Sequence, residues 1–116
     1  PRLNGPQSQS AQVLAAYRLM EPQFTLLNLT IESLDLSVQG SWRITLAGGA
    51  LIEAGRGDAE ALAQRTQAFL KTLTRVVGRY SRPLSALESA DLRHENGYAI
   101  RLRGVSTLAA STASTP

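Results

Sequence analysis

His94 is the lone histidine of a 116-residue chain that has no cysteine, so acid–base or nucleophilic chemistry would rest on one imidazole and the carboxylates. A hydrolytic centre needs a nucleophile, a base and a group that orients the base. Asp91 precedes His94 in a stretch that reads as a strand, where odd separations send side chains to opposite faces. That predicts no local Asp–His pair. Glu53 and Asp58 flank Gly55-Arg56-Gly57, and Glu32 and Asp35 share a strand entrance; capping and solvation account for all four better than paired acid–base work. Gly55-Arg56-Gly57-Asp58 superficially suggests a phosphate or adhesion loop, yet it lacks the further glycines and the lysine of a P-loop. It reads as a strand-to-helix turn. With no cysteine there is no disulfide, thiolate metal site or cysteine nucleophile. No catalytic residue, metal site or cofactor follows from these residues, and the expectation is a protein that is not an enzyme.

The stretch Ser89 to Arg103 is more informative. It reads as two strands joined by Asn96-Gly97, a pair suited to the positive φ angles of a tight hairpin. The second strand, Tyr98 to Arg103, is followed by Gly104 and a Ser/Thr/Ala-rich tail with little to pack. A terminal strand of this kind is expected at a sheet edge, where unpaired N–H and C=O groups recruit another strand unless something blocks them. This strand has no proline and no lysine. It reads as a docking edge.

The elements that must hold that edge follow from periodicity and punctuation. Residues 1–9 form an extended lead-in broken by Pro1, Asn4-Gly5 and Pro6. From Ser10 the spacing of Val13, Leu14, Tyr17 and Met20 predicts a helix, which Pro22 should end or kink, with any continuation reaching about Leu27. Leu34, Leu36 and Val38 alternate as a half-buried strand, and Leu29 and Ile31 lie out of phase with them, which predicts a bulge near Ser33. Turns at Gln39-Gly40-Ser41 and Gly48-Gly49 separate a strand with Trp42, Ile44 and Leu46 inward from one with Ala50, Ile52 and Ala54 inward. Asp58 is the expected N-cap of a long helix, with Glu60 favouring the same end. Its buried stripe is Leu62, Thr66, Phe69, Leu73, Val76 and Val77, and Gly78 is the expected stop. A loop over 79–86 leads to strands at 87–93 and 98–102. The fold class is α+β: a mostly antiparallel sheet of about five strands with two helices on one face, filling residues 10–103, followed by a disordered tail over 104–116.

Size and charge bound the rest. The chain is long enough for one core. No apolar run approaches the ~20 residues of a membrane span, and the start does not read as a signal peptide. The formal net charge is +3, and every basic residue except Lys71 is arginine. Between Arg65 and Arg82 lie Lys71, Arg75 and Arg79 with no acid until Glu88. The plainest account is a solvated helix face with cations at the negative helix end; the alternatives are a ligand-binding or nucleic-acid-binding module using 65–82. Nucleic-acid binders interleave such charge with aromatic platforms, and those are missing here.

These landmarks also carry a resemblance. Pro1-Arg2-Leu3-Asn4-Gly5-Pro6, Val13-Leu14 with Tyr17-Arg18, Ser41-Trp42-Arg43-Ile44-Thr45-Leu46, Gly55-Arg56-Gly57-Asp58, and Asp91-Leu92-Arg93 with Asn96-Gly97 stand in the order and spacing of the FtsQ/DivIB family of bacterial cell-division proteins. The chain resembles that family's C-terminal β domain from Pro1 to about Arg103. The resemblance implies a preceding POTRA domain and membrane helix, and a location on the periplasmic side of the inner membrane at the division septum. It implies no enzyme activity. It implies instead a scaffold that binds FtsB and FtsL, helps regulate septal peptidoglycan synthesis, and accepts a strand from FtsB along its last strand. Position by position, that interface falls on Arg93, His94, Asn96, Gly97, Tyr98, Ala99, Ile100, Arg101 and Leu102, with Tyr98 and either Ile100 or Leu102 as expected side-chain anchors and arginines facing acidic groups of FtsB. Relatives commonly carry tyrosine where His94 stands and an aromatic where Leu102 stands.

Overall fold

The computed structural model describes residues 1–95 and 97–105. Asn96 of the expected turn and residues 106–116 of the expected tail lie outside them. The chain order is β1 (Arg2–Asn4), α1 (Ser10–Thr25), β2 (Ile31–Leu36), β3 (Ser41–Leu46), β4 (Leu51–Arg56), α2 (Ala59–Arg79), β5 (Leu87–Asp91) and β6 (Ala99–Leu102), with single 3-10 turns at Gln7–Gln9 and Leu84–Ala86. The strands form one six-stranded sheet in sequential order, β1 to β6. The α+β class expected from the sequence holds.

The sheet has one strand more than expected and is mixed. Arg2–Asn4, read as a lead-in, pairs in parallel with β2, and β5 pairs in parallel with β4. The other neighbouring pairs are antiparallel. Each parallel pair is bridged by a helix, α1 between β1 and β2 and α2 between β4 and β5. Because β1 and β4 run in the same direction and both crossovers step the same way along the sheet, a single handedness places both helices on one face. That face carries the core: Leu34, Trp42, Ile44, Ile52, Ile100 and Leu102 meet Met20 and Phe24 of α1 and Leu62, Phe69 and Leu73 of α2. The other face presents Glu32, Arg43, Glu88, Ala99 and Arg101 to water.

Local chemistry explains most boundaries. The carboxylate of Asp58 caps α2 by accepting from Ala61 N (2.8 Å), and all six residues of the expected stripe are buried. The register shifts between Ile31 and Ser33, where the out-of-phase apolar pair predicted a bulge. Trp42 is fully buried, and its indole N–H donates to Gly57 O (2.8 Å).

Helix α1 continues through Pro22 to Thr25, within the limit of Leu27 expected for such a continuation, and closes where Asn28, at φ 61°, lets Leu29 N donate to Phe24 O (2.9 Å). Other boundaries differ from expectation. Helix α2 passes Gly78, and Ser81 at φ 55° takes the left-handed role while Arg82 N donates to Val77 O (2.9 Å). Both ends are Schellman closures made without glycine. Val38, expected in a strand, lies in the β2–β3 turn and is exposed. Strand β4 runs on to Arg56 rather than breaking at Gly55.

Candidate functional site

Strand β6 ends the sheet. Arg103 N donates to Ala86 O (2.7 Å), so its main chain points toward β5. Alternation gives the same side to Arg101 and Ala99, which register with Ser89 and Asp91, and turns the main-chain groups of Ile100 and Leu102 away from the sheet. The neighbouring strand agrees: Leu92 N donates to Glu53 O of β4 (2.8 Å), which leaves Ser89 and Asp91 facing β6. Leu102 O is taken by Val105 N at 3.3 Å. Among the described residues, the open side therefore offers Ile100 N–H, Ile100 C=O and Leu102 N–H.

The side chains divide differently from the main chain. Ile100 and Leu102 are each 1% exposed and belong to the core. Their expected role as apolar anchors is corrected accordingly: both point at the helices, and what they present along the edge is backbone. Tyr98 is half-buried and sets its ring edge-on to Phe69, with centroids 5.5 Å apart and planes at 82°. Burial pushes its phenol above the usual range, against the opposing charge of Arg65. Ala99 and Arg101 are exposed on the outer sheet face.

The connection from β5 to β6 is longer than a two-residue turn. Asp91 registers with Ala99, so residues 92–98 form the link, and Gly97 sits at φ 148°. The tight hairpin read from Asn96-Gly97 is thus replaced by a broad loop that folds over the carboxyl end of β4. Leaving the strand at Asp91 also cancels the alternation that separated Asp91 from His94. His94 Nε2 stands 3.8 Å from Asp91 Oδ2, an acid–imidazole pair the strand reading excluded. The stronger partner of Asp91 is Arg93, whose Nε and Nη2 donate to the two carboxylate oxygens at 2.8 and 2.7 Å, with Arg93 N adding a bond of 3.0 Å. This fork holds the Asp91 carboxyl below its ordinary range and raises the guanidinium.

Below the loop lies an open cleft of about 1000 Å³ between the carboxyl ends of β4 and β5 and one face of α2. Arg56, Arg65, Arg75, Arg93 and His94 line it, with Glu95 the acidic lining residue. A bulge on β4 builds its floor. Trp42 registers with Gly55 and Arg43 with Glu53, so Ala54 is the extra residue. Its carbonyl accepts from Arg65 Nη1 (2.8 Å). Gly55 takes the left-handed φ of +83° that the bulge requires, and Arg93 packs over it in ordinary contact.

Positions 65–82 do not form a single basic face. Arg65 and Arg75 turn into the cleft, Lys71 lines a separate groove beside Leu26 and Leu27 in the turn after α1, and Arg82 Nη2 donates to Gly104 O (2.9 Å). The cleft itself was not foreseen. Its arginines come from segments far apart in sequence, and only the Arg65–Thr72–Arg75 spacing on one helix face hinted at it. Two of the other carboxylates are tied into the sheet. Glu53 pairs with Arg43 (2.8 Å) and Asp35 accepts from Asn4 Nδ2 (2.7 Å). Among the described residues no three His, Asp or Glu converge in a way that could hold a metal ion, and no helix is long and apolar enough to cross a membrane.

Comparison with known proteins supplies a context for this geometry. The family model described as the C-terminal region of cell division protein FtsQ/DivIB matches residues 1–93. The cell division protein FtsQ of Xanthomonas campestris is 33% identical over 103 residues, covering 89% of this chain and 34% of that protein. The FtsQ of Thiomonas arsenitoxydans is 32% identical over 106 residues, covering 90% of this chain and 38% of the relative. That of Vibrio cholerae is 34% identical over 99 residues, covering 85% and 35%. The chain thus spans little more than a third of the length of these relatives. The family match stops short of β6, so the reading of that edge rests on its own geometry.

Proposed function

The chain belongs to the FtsQ/DivIB family of cell-division proteins through that family's C-terminal domain, and from this premise we propose that it is a scaffold that binds a partner by strand addition along β6. The carrying observation is the outward main chain of Ile100 and Leu102 at the end of a sheet with no described residue alongside. By resemblance, the partner is the periplasmic segment of FtsB, acting with FtsL at the division septum in the control of septal peptidoglycan synthesis. The binding residues are Arg93, His94, Asn96, Gly97, Tyr98, Ala99, Ile100, Arg101 and Leu102, with 100 and 102 contributing main chain. No catalytic step is assigned to the domain.

Magnitudes show what else such binding needs. Strand addition takes its affinity from main-chain bonds and its specificity from alternate side chains. Three bonds at about 0.5–1.5 kcal/mol net each total roughly 2–4 kcal/mol, and ordering a flexible partner segment costs about 2–5 kcal/mol. The two nearly cancel. Net affinity must come from side chains around the edge, and the exposed ones are largely cationic: Arg93, Arg101 and Arg103.

The test compares Ile100→Pro with Ile100→Val by calorimetric titration against an FtsB periplasmic peptide. Valine keeps the outward donor, and proline removes it. The expected result is binding by the valine variant and none by the proline variant, with circular dichroism reporting that both are folded. Should proline disturb the core, N-methyl-isoleucine at position 100 removes the same donor while keeping the side chain. Undiminished binding by the N-methyl protein would rule out strand addition at this edge.

A further inference from the structure

We infer that β6 is also a surface on which two copies of this chain pair, edge to edge about a two-fold axis at Ile100, in competition with the partner strand. The inference shares the open edge with the strand-addition reading and goes beyond it by naming a second occupant and its register. Three observations carry it. First, the open groups are self-complementary. In an antiparallel pair, opposite residues alternate between those that exchange both N–H···O bonds and those that exchange none. Among the described residues Ile100 offers both its N–H and its C=O outward, while Ala99 and Arg101 turn theirs to β5. An axis at Ile100 makes that residue its own opposite, so two bonds form at once, as in an isologous dimer. The Leu102 N–H of each copy then stands opposite Tyr98 of the other.

Second, the charges select this register. An axis at Arg101 would set two arginines directly opposite, which destabilises a strand pair. It would also aim Ile100 N–H at Leu102 O, which Val105 N already takes at 3.3 Å. With the axis at Ile100, Arg101 instead faces the small Ala99 of the second copy. The other arginines flanking the edge are held, Arg93 on Asp91 and Arg103 on Ser85 O. Third, a place for Arg101 exists on the outer sheet face. Ala99 registers with Asp91, and Asp91 with Glu53. A shallow groove of about 290 Å³ runs there, lined by Glu53, Asp91 and Ala99 among others. An arginine opposite Ala99 extends across its methyl group toward the two carboxylates.

Cysteine cross-linking reads the register without background, because the chain has no cysteine. An equimolar mixture of Ala99→Cys and Arg101→Cys is oxidised, and covalent dimers are identified by mass spectrometry. Position 99 of one copy and position 101 of the other form a non-hydrogen-bonded pair about 4.5 Å apart at Cα, within disulfide reach. Two 101 positions are diagonal neighbours about 7–8 Å apart, beyond it. The expected result is an excess of the mixed dimer of roughly tenfold over the like dimers of Arg101→Cys and of Val38→Cys, an exposed control in the β2–β3 turn. Saturating FtsB periplasmic peptide should remove that excess. Sedimentation of the unmodified chain should show its average mass rising toward that of a dimer near about 1 mM, and N-methyl-isoleucine at position 100 should abolish the rise. Equal yields of mixed and like dimers with a constant mass overturn self-pairing, and leave strand addition standing where the peptide binds. A mixed dimer that bound peptide does not reduce overturns the competition, and with it strand addition at β6. Cross-linking that appears only after removal of residues 106–116 overturns the inference in favour of the tail as occupant.

Discussion

The two ends of the sheet are built from similar lengths of strand and behave as opposites. At one end β1 offers three residues, Arg2–Asn4, in parallel register with β2. Its last residue is tied sideways, Asn4 Nδ2 to Asp35 Oδ1, and Gly5-Pro6 then turns the chain over β2 toward α1. An added Cβ on Gly5 would lie 2.9 Å from Val13 Cγ2, so the turn is packed against the helix, and Pro6 has no N–H to offer. At the other end β6 has four residues in antiparallel register with β5, and among the described residues its outward donors at 100 and 102 stand open. Its far end is held by Arg82 on Gly104 O and by the Arg103 guanidinium on Ser85 O. Being last in a sheet does not make an edge receptive. A three-residue strand that runs straight into a packed turn and a proline offers a shorter row of main-chain groups than a strand tied at its far end.

The largest effect that tests this contrast is on stability. Leu102 is 1% exposed beneath β6, whereas Leu3 beneath β1 is only half-buried. Leu102→Ala is expected to cost about 2–5 kcal/mol, as fully buried leucines do, and Leu3→Ala less than about half of that. Urea denaturation reads both, with a separation of midpoints near 1 M for slopes of about 1–3 kcal/mol per M. Equal losses would mean that β6 is no better anchored than β1, and the contrast between the two ends of the sheet would disappear.

How much of this was legible beforehand depended on how local each determinant is. The β3–β4 hairpin, the Asp58 cap and the α2 stripe are set by residues within a few positions of each other, and period and punctuation gave them directly. β1 escaped because its evidence is a partner some thirty residues away, Leu3 against Leu34, among breakers that signal irregular chain. At Pro22 the continuation allowed to about Leu27 is the outcome, ending at Thr25 with Phe24 buried beyond the proline. The stop expected at Gly78 is passed by one residue, because Ser81 rather than the glycine takes the left-handed closing position. The last strand was readable and the loop before it was not. Asn-Gly is a strong turn signal, but the register that sets Asp91 against Ala99 requires the wider connection. The basic cleft is the least local feature of all.

A smaller effect sharpens the comparison at the level of charge. Arg101 projects from the outer face of β6, and Arg2 stands on β1 at the opposite end. Reversing an exposed charge beside a docking strand is expected to change partner affinity by only a few-fold, since exposed pairs contribute about 0–1 kcal/mol. Arg101→Glu should therefore weaken binding of an acidic partner modestly, and Arg2→Glu should leave it unchanged. Calorimetry on the two variants checks this. An equal loss for both would point to long-range attraction by the net charge rather than to docking at β6.

The smallest effect lies in the loop that leads into β6. Arg93 lowers the Asp91 carboxyl chiefly by hydrogen bonding, with partial burial opposing and His94 adding a minor attraction. A carboxyl whose pKa is lower folded than unfolded contributes stability that is fully present above the unfolded value, near 3.9, and is lost as pH falls through the folded one. Between pH 5 and 8 this pair therefore leaves stability flat, and its contribution fades only in the acid range below about 4. Carbon-detected titration should find Asp91 below the other exposed carboxyls, and Arg93→Gln should return it toward them. If Asp91 titrates like an ordinary aspartate in the wild-type protein, the fork is not formed in solution. The guanidinium of Arg93 would then be as free as those of Arg56 and Arg75, and the loop would have lost the tie that sets the start of β6.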